Sequence, residues 1–103
     1  MDYDMQFKKA CENGALKDML ECQLQWGEQQ MTVEPAKVDA NYFLCSSIMY
    51  AYNFILTRKP EFYDRMLSFY RDGINNYKPE NPALFDWFKS EAEIMISKVD
   101  NIK

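Results

Sequence analysis

The stretch YFLCSSIMYAYNFIL, residues 42–56, decides the fold of this chain. It carries no charged residue, and twelve of its fifteen residues are apolar or aromatic. At about 3.6 residues per turn Ser46, Tyr50 and Asn53 share one polar stripe with the flanking Asp39 and Thr57, whereas strand alternation would place Ser46 and Ser47 on opposite faces. The run is shorter than the roughly 20 apolar residues of a membrane span, and it contains Asn53. We therefore predict a central α-helix that other elements enclose on most sides.

Four further helices are predicted around the central one from apolar periodicity and from capping residues. The predicted spans are 3–13, 15–26, 35 or 39 to 57, 60–78 and 82–99, with a frayed tail at 100–103. Gly27 is expected to end the second helix, and Pro60 suits the first turn of the fourth. Gly73 predicts a bend or an early end in the fourth helix, because glycine costs about 1 kcal/mol relative to alanine there.

The inward face of the second helix is predicted from its apolar residues. These are Leu16, Met19, Leu20 and Leu24. No segment shows the sustained two-residue alternation of a half-buried strand. The sequence therefore predicts an all-α fold, a compact bundle or short helical array of about five helices with a central buried helix, in a single domain spanning 1–103.

Composition indicates a chain that can fold on its core alone. Apolar residues make up 48% of the 103 residues, so neither a disulfide framework nor a metal is required for stability. The three cysteines, Cys11, Cys22 and Cys45, form no CxxC pair, which indicates reduced and mostly buried thiols. The first ten residues lack the layout of a signal peptide. We expect a cytoplasmic protein.

Negative charge is concentrated in the first third of the chain. The net charge is −4; residues 1–39 hold eight acids and four bases, and residues 40–103 hold eight of each. Binding to nucleic acid requires clustered lysine and arginine, and an anionic membrane surface attracts the same residues. We therefore expect no direct contact with nucleic acid or membrane. A protein partner with a basic surface would fit the acidic segment.

Few residues of this chain can support catalysis or hold a cofactor. It has no histidine, the commonest general base and zinc ligand, and its glycines are too dispersed for a phosphate-binding loop. The acid pair Glu61 and Asp64 shares a helix face, but acids also favour a first helical turn through the helix dipole. We predict a non-enzyme without cofactor or metal.

Two segments resemble parts of known repeat families. Residues 10–16, ACENGAL, continued to Gly27, resemble the helix–turn–helix part of an ankyrin repeat. No Thr-Pro-Leu-His precedes them, and Ser47 stands about 33 residues after Gly14, where a repeat would place another glycine. The third to fifth predicted helices resemble a tetratricopeptide-like array without its small-residue signature. The resemblances imply packed helix pairs, and we assign the chain to neither family.

Surplus aromatic residues suggest how such a protein acts. Five lie outside or at the rim of the predicted inward faces: Trp26, Tyr50, Phe62, Phe69 and Trp87. Aromatic residues are enriched in the cores of protein–protein interfaces. We expect a small acidic non-catalytic protein that binds another protein, as an adaptor or inhibitor. The alternatives are a self-assembling homo-oligomer and a helical protein that binds a small ligand near Asn53 or Cys45.

Overall fold

The computed structural model describes residues 2–103, and over that range it contains five α-helices and no strand. They are α1 (Tyr3–Glu12), α2 (Leu16–Gln30), α3 (Ala40–Thr57), α4 (Pro60–Asn75) and α5 (Phe85–Ile102). Short 3₁₀ turns, Pro35–Lys37 and Pro82–Leu84, precede α3 and α5. The predicted all-α fold of about five helices is confirmed.

Helix α3 occupies the centre, as the sequence predicts. It contacts α4 and α5 most extensively and also touches α1 and α2. Its buried residues include Leu44, Cys45, Ile48 and Ala51, which belong to the hydrophobic core. Ser47 is buried as well, and its hydroxyl donates to the Met66 carbonyl of α4 (2.8 Å), so this polar group is satisfied inside the core.

The start of α3 is fixed by a side-chain cap. Asp39 has an extended backbone, and its Oδ1 accepts a hydrogen bond from the Asn41 amide (2.9 Å). Of the two predicted starts, the one at Asp39 is right, because Pro35–Lys37 forms a separate turn followed by the extended Val38. An aspartate cap satisfies an otherwise unpaired amide in the first helical turn.

Two glycines predicted to interrupt helices allow close packing at the start of α3. Helix α2 runs through Gly27 to Gln30, whereas α4 ends at Asn75, two residues after Gly73 and earlier than the predicted 78, in line with the early end expected there. A Cβ at Gly27 would lie 2.7 Å from the Tyr42 hydroxyl, and one at Gly73 would lie 3.1 Å from the Phe43 Cβ. The predicted end of α2 at Gly27 is therefore wrong, because the missing side chain makes room for a neighbouring helix.

The C-terminal residues are helical to Ile102, and the predicted frayed tail is wrong. The Arg58 guanidinium donates to the Ile102 carbonyl (3.1 Å), and the Tyr63 hydroxyl donates to Asp100 (2.8 Å). These contacts attach the end of α5 to the α3–α4 corner. They are long-range contacts, so local periodicity could not indicate them.

Candidate protein-binding surface

Helix α2 is rotated about its axis relative to the prediction. Its buried residues are Met19, Cys22, Trp26 and Gln30. Met19 is inward as predicted, but the prediction is wrong for the three leucines, whose exposed fractions are 38% at Leu16, 42% at Leu20 and 56% at Leu24. We call Leu16, Leu20 and Leu24 the leucine stripe. At four-residue spacing they lie along one side of α2.

Trp26 explains this orientation, and its predicted place at the rim is wrong. The side chain is 1% exposed. Its ring stacks on Tyr3 at 6.1 Å between centroids and meets Tyr42 and Phe88 edge to face at 5.7 and 5.9 Å. Buried aromatic pairs add about 0.5–1.5 kcal/mol each beyond the area they remove from water. With α2 turned so that this indole faces the core, the leucine stripe lies on a side of the helix that remains partly exposed.

A groove runs beside the leucine stripe, between α2 and the start of α3. It encloses about 430 Å³ and is lined by Gln23, Leu24, Gly27, Glu28, Gln30, Met31, Val38, Tyr42 and Phe43. We call it the α2–α3 groove. Met31, which follows α2, is 87% exposed. Glu28 is the one charged residue among the lining residues, so the walls are mainly apolar and aromatic.

Phe43 connects the groove to a row of aromatic rings along α3 and α4. Successive centroid distances in this aromatic row are 5.9 Å for Phe62–Tyr50, 5.4 Å for Tyr50–Phe69, 5.3 Å for Phe69–Phe43 and 4.4 Å for Phe43–Tyr77. The structure thus brings together three of the predicted interface residues, all half-buried. The Arg65 guanidinium lies 5.8 Å from the Tyr50 ring centre.

Trp87, the remaining predicted interface residue, lies apart from this row. It belongs to α5, is half-buried, and contacts Phe88 edge to face at 5.0 Å. The Lys8 ammonium of α1 lies 5.6 Å from its ring centre.

The sequence analysis did not identify the leucine stripe, Met31 and Phe43 as surface residues, because it assigned the leucines of α2 to the core. The only signal available in the sequence was that α2 is apolar on two adjoining faces.

Charged residues border the leucine stripe on its solvent side. On a helical projection Lys17, Glu21 and Glu28 follow the stripe on the side away from α3, and all three are exposed. The floor of the groove, formed by Tyr42 and Phe43, carries no charge. The edge along α2 is therefore acidic overall, next to an uncharged floor.

A buried polar network holds the start of α3 in place and so fixes the geometry of the groove. The side-chain oxygen of Gln30 accepts a hydrogen bond from the Asp39 amide (2.7 Å). The Asn41 side chain donates to Asp4 Oδ2 of α1 (2.8 Å) and to the Asn81 carbonyl (3.1 Å). These bonds link α1, the end of α2 and the loop before α5 to the same turn of α3.

Burial alters the protonation of this network. The pKa of Asp39 is raised to about 6, chiefly by desolvation, with a smaller contribution from the nearby carboxylates of Asp4 and Glu80; hydrogen bonds from the Asn41 and Glu80 amides act in the opposite direction. Desolvation also raises the pKa of Asp4. Two buried oxygens, Asp39 Oδ2 and Asn41 Oδ1, accept no hydrogen bond from any group within residues 2–103. The Asp39 carboxyl is thus held where its charged form is disfavoured.

The three cysteines are free thiols, and Cys22 and Cys45 are buried as predicted, whereas Cys11 is half-buried. Burial raises the pKa of Cys11 to about 12 and that of Cys22 to about 11, and it raises the pKa of Cys45 well above its usual value. Since the thiolate is the nucleophile, protonated thiols of this kind react slowly at neutral pH.

Among residues 2–103, no three histidine, cysteine, aspartate or glutamate residues lie close enough together to hold a metal ion. Over the same range, no helix has both the length and the apolar character needed to cross a bilayer.

Comparisons with known proteins were made at three levels. No protein-family model matches this chain, and neither a curated protein nor a solved structure matches it.

Proposed function

We propose that this protein acts without catalysis, as an adaptor or inhibitor that binds another protein stoichiometrically. The binding surface is the leucine stripe, the α2–α3 groove and the aromatic row. The observation that carries the proposal is the leucine stripe itself: three leucines, four residues apart on one side of α2, are 38%, 42% and 56% exposed. Monomeric proteins rarely leave large contiguous apolar patches exposed unless these bind something.

The free energy gained by burying the exposed apolar side chains indicates how much of the surface must contact the partner. Fully burying a leucine or methionine side chain contributes about 1.5–3 kcal/mol. Covering the exposed fractions of the leucine stripe and of Met31 would therefore contribute on the order of 5 kcal/mol. Association costs at least about 4 kcal/mol in lost freedom, so the stripe alone gives weak binding. A stable complex must also use the aromatic row.

The chemistry of the chain supports a non-catalytic role and a cytoplasmic location. The sequence has no histidine, and its thiols are held protonated by burial. Three unpaired cysteines suit a reducing compartment, where disulfides rarely persist. The acidic edge of α2 favours a partner with a basic surface, because opposite charges speed encounter and disfavour wrong partners.

The test is affinity purification of the tagged protein from its native cell, followed by mass spectrometry. The wild type is compared with the double variant Leu20→Glu/Leu24→Glu. We expect the wild type to retain one or a few proteins in near-stoichiometric amounts, and the variant to lose them. A carboxylate at these positions would be buried against the partner without compensation.

The matched control is Ile94→Glu on α5. Ile94 is 46% exposed, similar to Leu20 and Leu24, but lies outside the proposed surface. The Ile94→Glu variant should retain the same partners as the wild type. Capture that is equal for the wild type and the leucine variant would contradict the proposal, provided that circular dichroism shows both to be folded. Alanine variants of Tyr50 and Phe69 then measure the contribution of the aromatic row.

Self-assembly is the second candidate, since the same exposed leucines could pack against a second copy. Sedimentation velocity at high protein concentration separates the two. A monomer argues against self-assembly, whereas a stable oligomer that the Leu20→Glu/Leu24→Glu variant dissociates would replace the leading proposal.

A further inference from the structure

The leucine stripe and the α2–α3 groove together form a surface about as long as one helix. From Leu16 to Met31 the chain advances fifteen residue steps, which at about 1.5 Å per residue is roughly 22 Å, the length of a helix of about 15 residues. The groove itself is lined by the last part of this span, from Gln23 to Met31. Leucines spaced four apart form the kind of ridge that packs into the grooves of another helix. An amphipathic helix laid into an apolar groove is a recurring mode of peptide recognition.

The charges around the groove indicate which helix fits. Its floor is uncharged at Tyr42 and Phe43, so the occupant must present an apolar edge there. Glu21 and Glu28 lie along the α2 side with Lys17 as the one base beside them, so the flank of the occupant that faces α2 meets mainly negative charge. Like charges at a close interface are unfavourable, whereas opposite charges guide and orient binding.

The same charges disfavour a second copy of this chain as the occupant. If two copies met through α2 in parallel, Glu21 and Glu28 of both would come together, with only Lys17 of each to offset them. The excess of acids over bases across residues 1–39 adds to this repulsion. A basic segment of a different protein lacks this conflict.

We propose that the α2–α3 groove binds an amphipathic helix of a partner protein that carries lysine or arginine along one flank. The inference rests on the proposed function, and it adds the class of the partner segment and its position. The apolar edge of that helix packs on the leucine stripe and on Tyr42, while its basic flank faces Glu21 and Glu28. Binding should weaken as salt is added, because these acids are exposed.

The experiment uses two synthetic peptides of about 16 residues with identical leucine positions, one with lysine and one with glutamate on the polar flank. Binding to the full chain is followed by fluorescence anisotropy and by the methyl NMR signals of Leu20, Leu24 and Met31. We expect the lysine peptide to bind at least about tenfold more tightly and to shift these signals but not those of Ile94. The Glu21→Lys/Glu28→Lys variant should remove or reverse the preference.

Each other outcome overturns the inference. Equal binding of both peptides, or shifts confined to other residues, would contradict the basic amphipathic helix. Leucine-dependent self-association in sedimentation would identify a second copy as the occupant. If neither peptide binds while Leu20→Glu/Leu24→Glu still abolishes capture in the cell, this inference fails and the proposed function stands; if capture is also indifferent to that variant, both fail.

Discussion

The two apolar faces of α2 differ in burial. One, with Met19, Cys22 and Trp26, lies in the core; the other, the leucine stripe, lies in solvent. By composition alone the leucines are as apolar as the buried set, so hydrophobicity does not decide between them. The buried face is distinguished by aromatic contacts across the core and by the packing of Gly27 against Tyr42. Shape complementarity, rather than total apolarity, selects the face that folds inward.

The comparison also bears on the function of the leucine stripe. Helix α1 has only ten residues and covers one side of α2. Helix α3 meets α2 mainly through its start, and the two frame the α2–α3 groove. The leucine stripe is apolar and partly exposed, and it is the surface on which we propose that another protein binds.

The largest expected effect on stability comes from removing a large side chain from the buried face of α2. Trp26→Ala should lower the free energy of unfolding by about 3–5 kcal/mol, because it leaves a cavity among Tyr3, Tyr42 and Phe88. Urea denaturation measures this. Leu24→Ala on the other face is the control and should cost under about 1 kcal/mol. Similar losses for the two variants would contradict the assignment of inner and outer faces.

The buried network that sets the groove predicts a pH dependence. The pKa of Asp39 is raised in the folded state to about 6 from 3.8, so the folded chain binds this proton more tightly than the unfolded chain. The contribution to stability is therefore complete below pH 4 and is lost as the pH rises through 6, by an amount on the order of 3 kcal/mol. Urea titrations of the wild type and of Asp39→Asn from pH 4.5 to 7.5 measure the difference.

That difference should change with pH, whereas the acids that do not interact with Asp39 contribute equally to both proteins. A constant difference between the wild type and Asp39→Asn would show that the Asp39 carboxyl ionises as readily in the folded chain as in the unfolded one. The orientation of α3 would then not depend on protonation of the Asp39 carboxyl.

A smaller effect tests why α2 continues through Gly27. An alanine inside a helix is normally about 1 kcal/mol more stable than glycine. Gly27→Ala should not show this gain, since the new methyl group would meet the Tyr42 hydroxyl. In the Tyr42→Phe background the gain should return, giving a coupling of about 1 kcal/mol in a double-mutant cycle of thermal unfolding. Additive effects of the two changes would remove the close-approach explanation.

The smallest effect on stability is expected on the outer face. Leu24→Glu should leave the free energy of unfolding within about 0.5 kcal/mol of wild type, because an exposed helix position tolerates glutamate. Thermal unfolding checks this, with Ile94→Glu as the matched variant. A loss of several kcal/mol would mean that Leu24 is part of the core, and the leucine stripe would no longer be available as a binding surface.

The central helix was predictable because its information is local. An uncharged run of fifteen residues admits few structures in water, and Asp39, Pro60 and the short joints between the helices mark boundaries through the chemistry of single residues. Burial of Cys22 and Cys45 followed from the same reasoning. Tyr50, Phe62 and Phe69 were chosen as aromatics outside the inward faces, and their meeting in one row depends on the pairing of α3 with α4.

The sequence by itself determined the all-α class, the number of helices and the central place of residues 42–56, because hydrophobic period and capping act within a few turns of chain. Only the tertiary structure decided which face of α2 is buried, why Gly27 and Gly73 are needed, and how the tail is held. Each of these depends on a contact between residues distant in sequence: Trp26 with Phe88, Gly73 with Phe43, and Arg58 with Ile102. For a helix with two apolar faces, the packing of the neighbouring helices determines which face is buried.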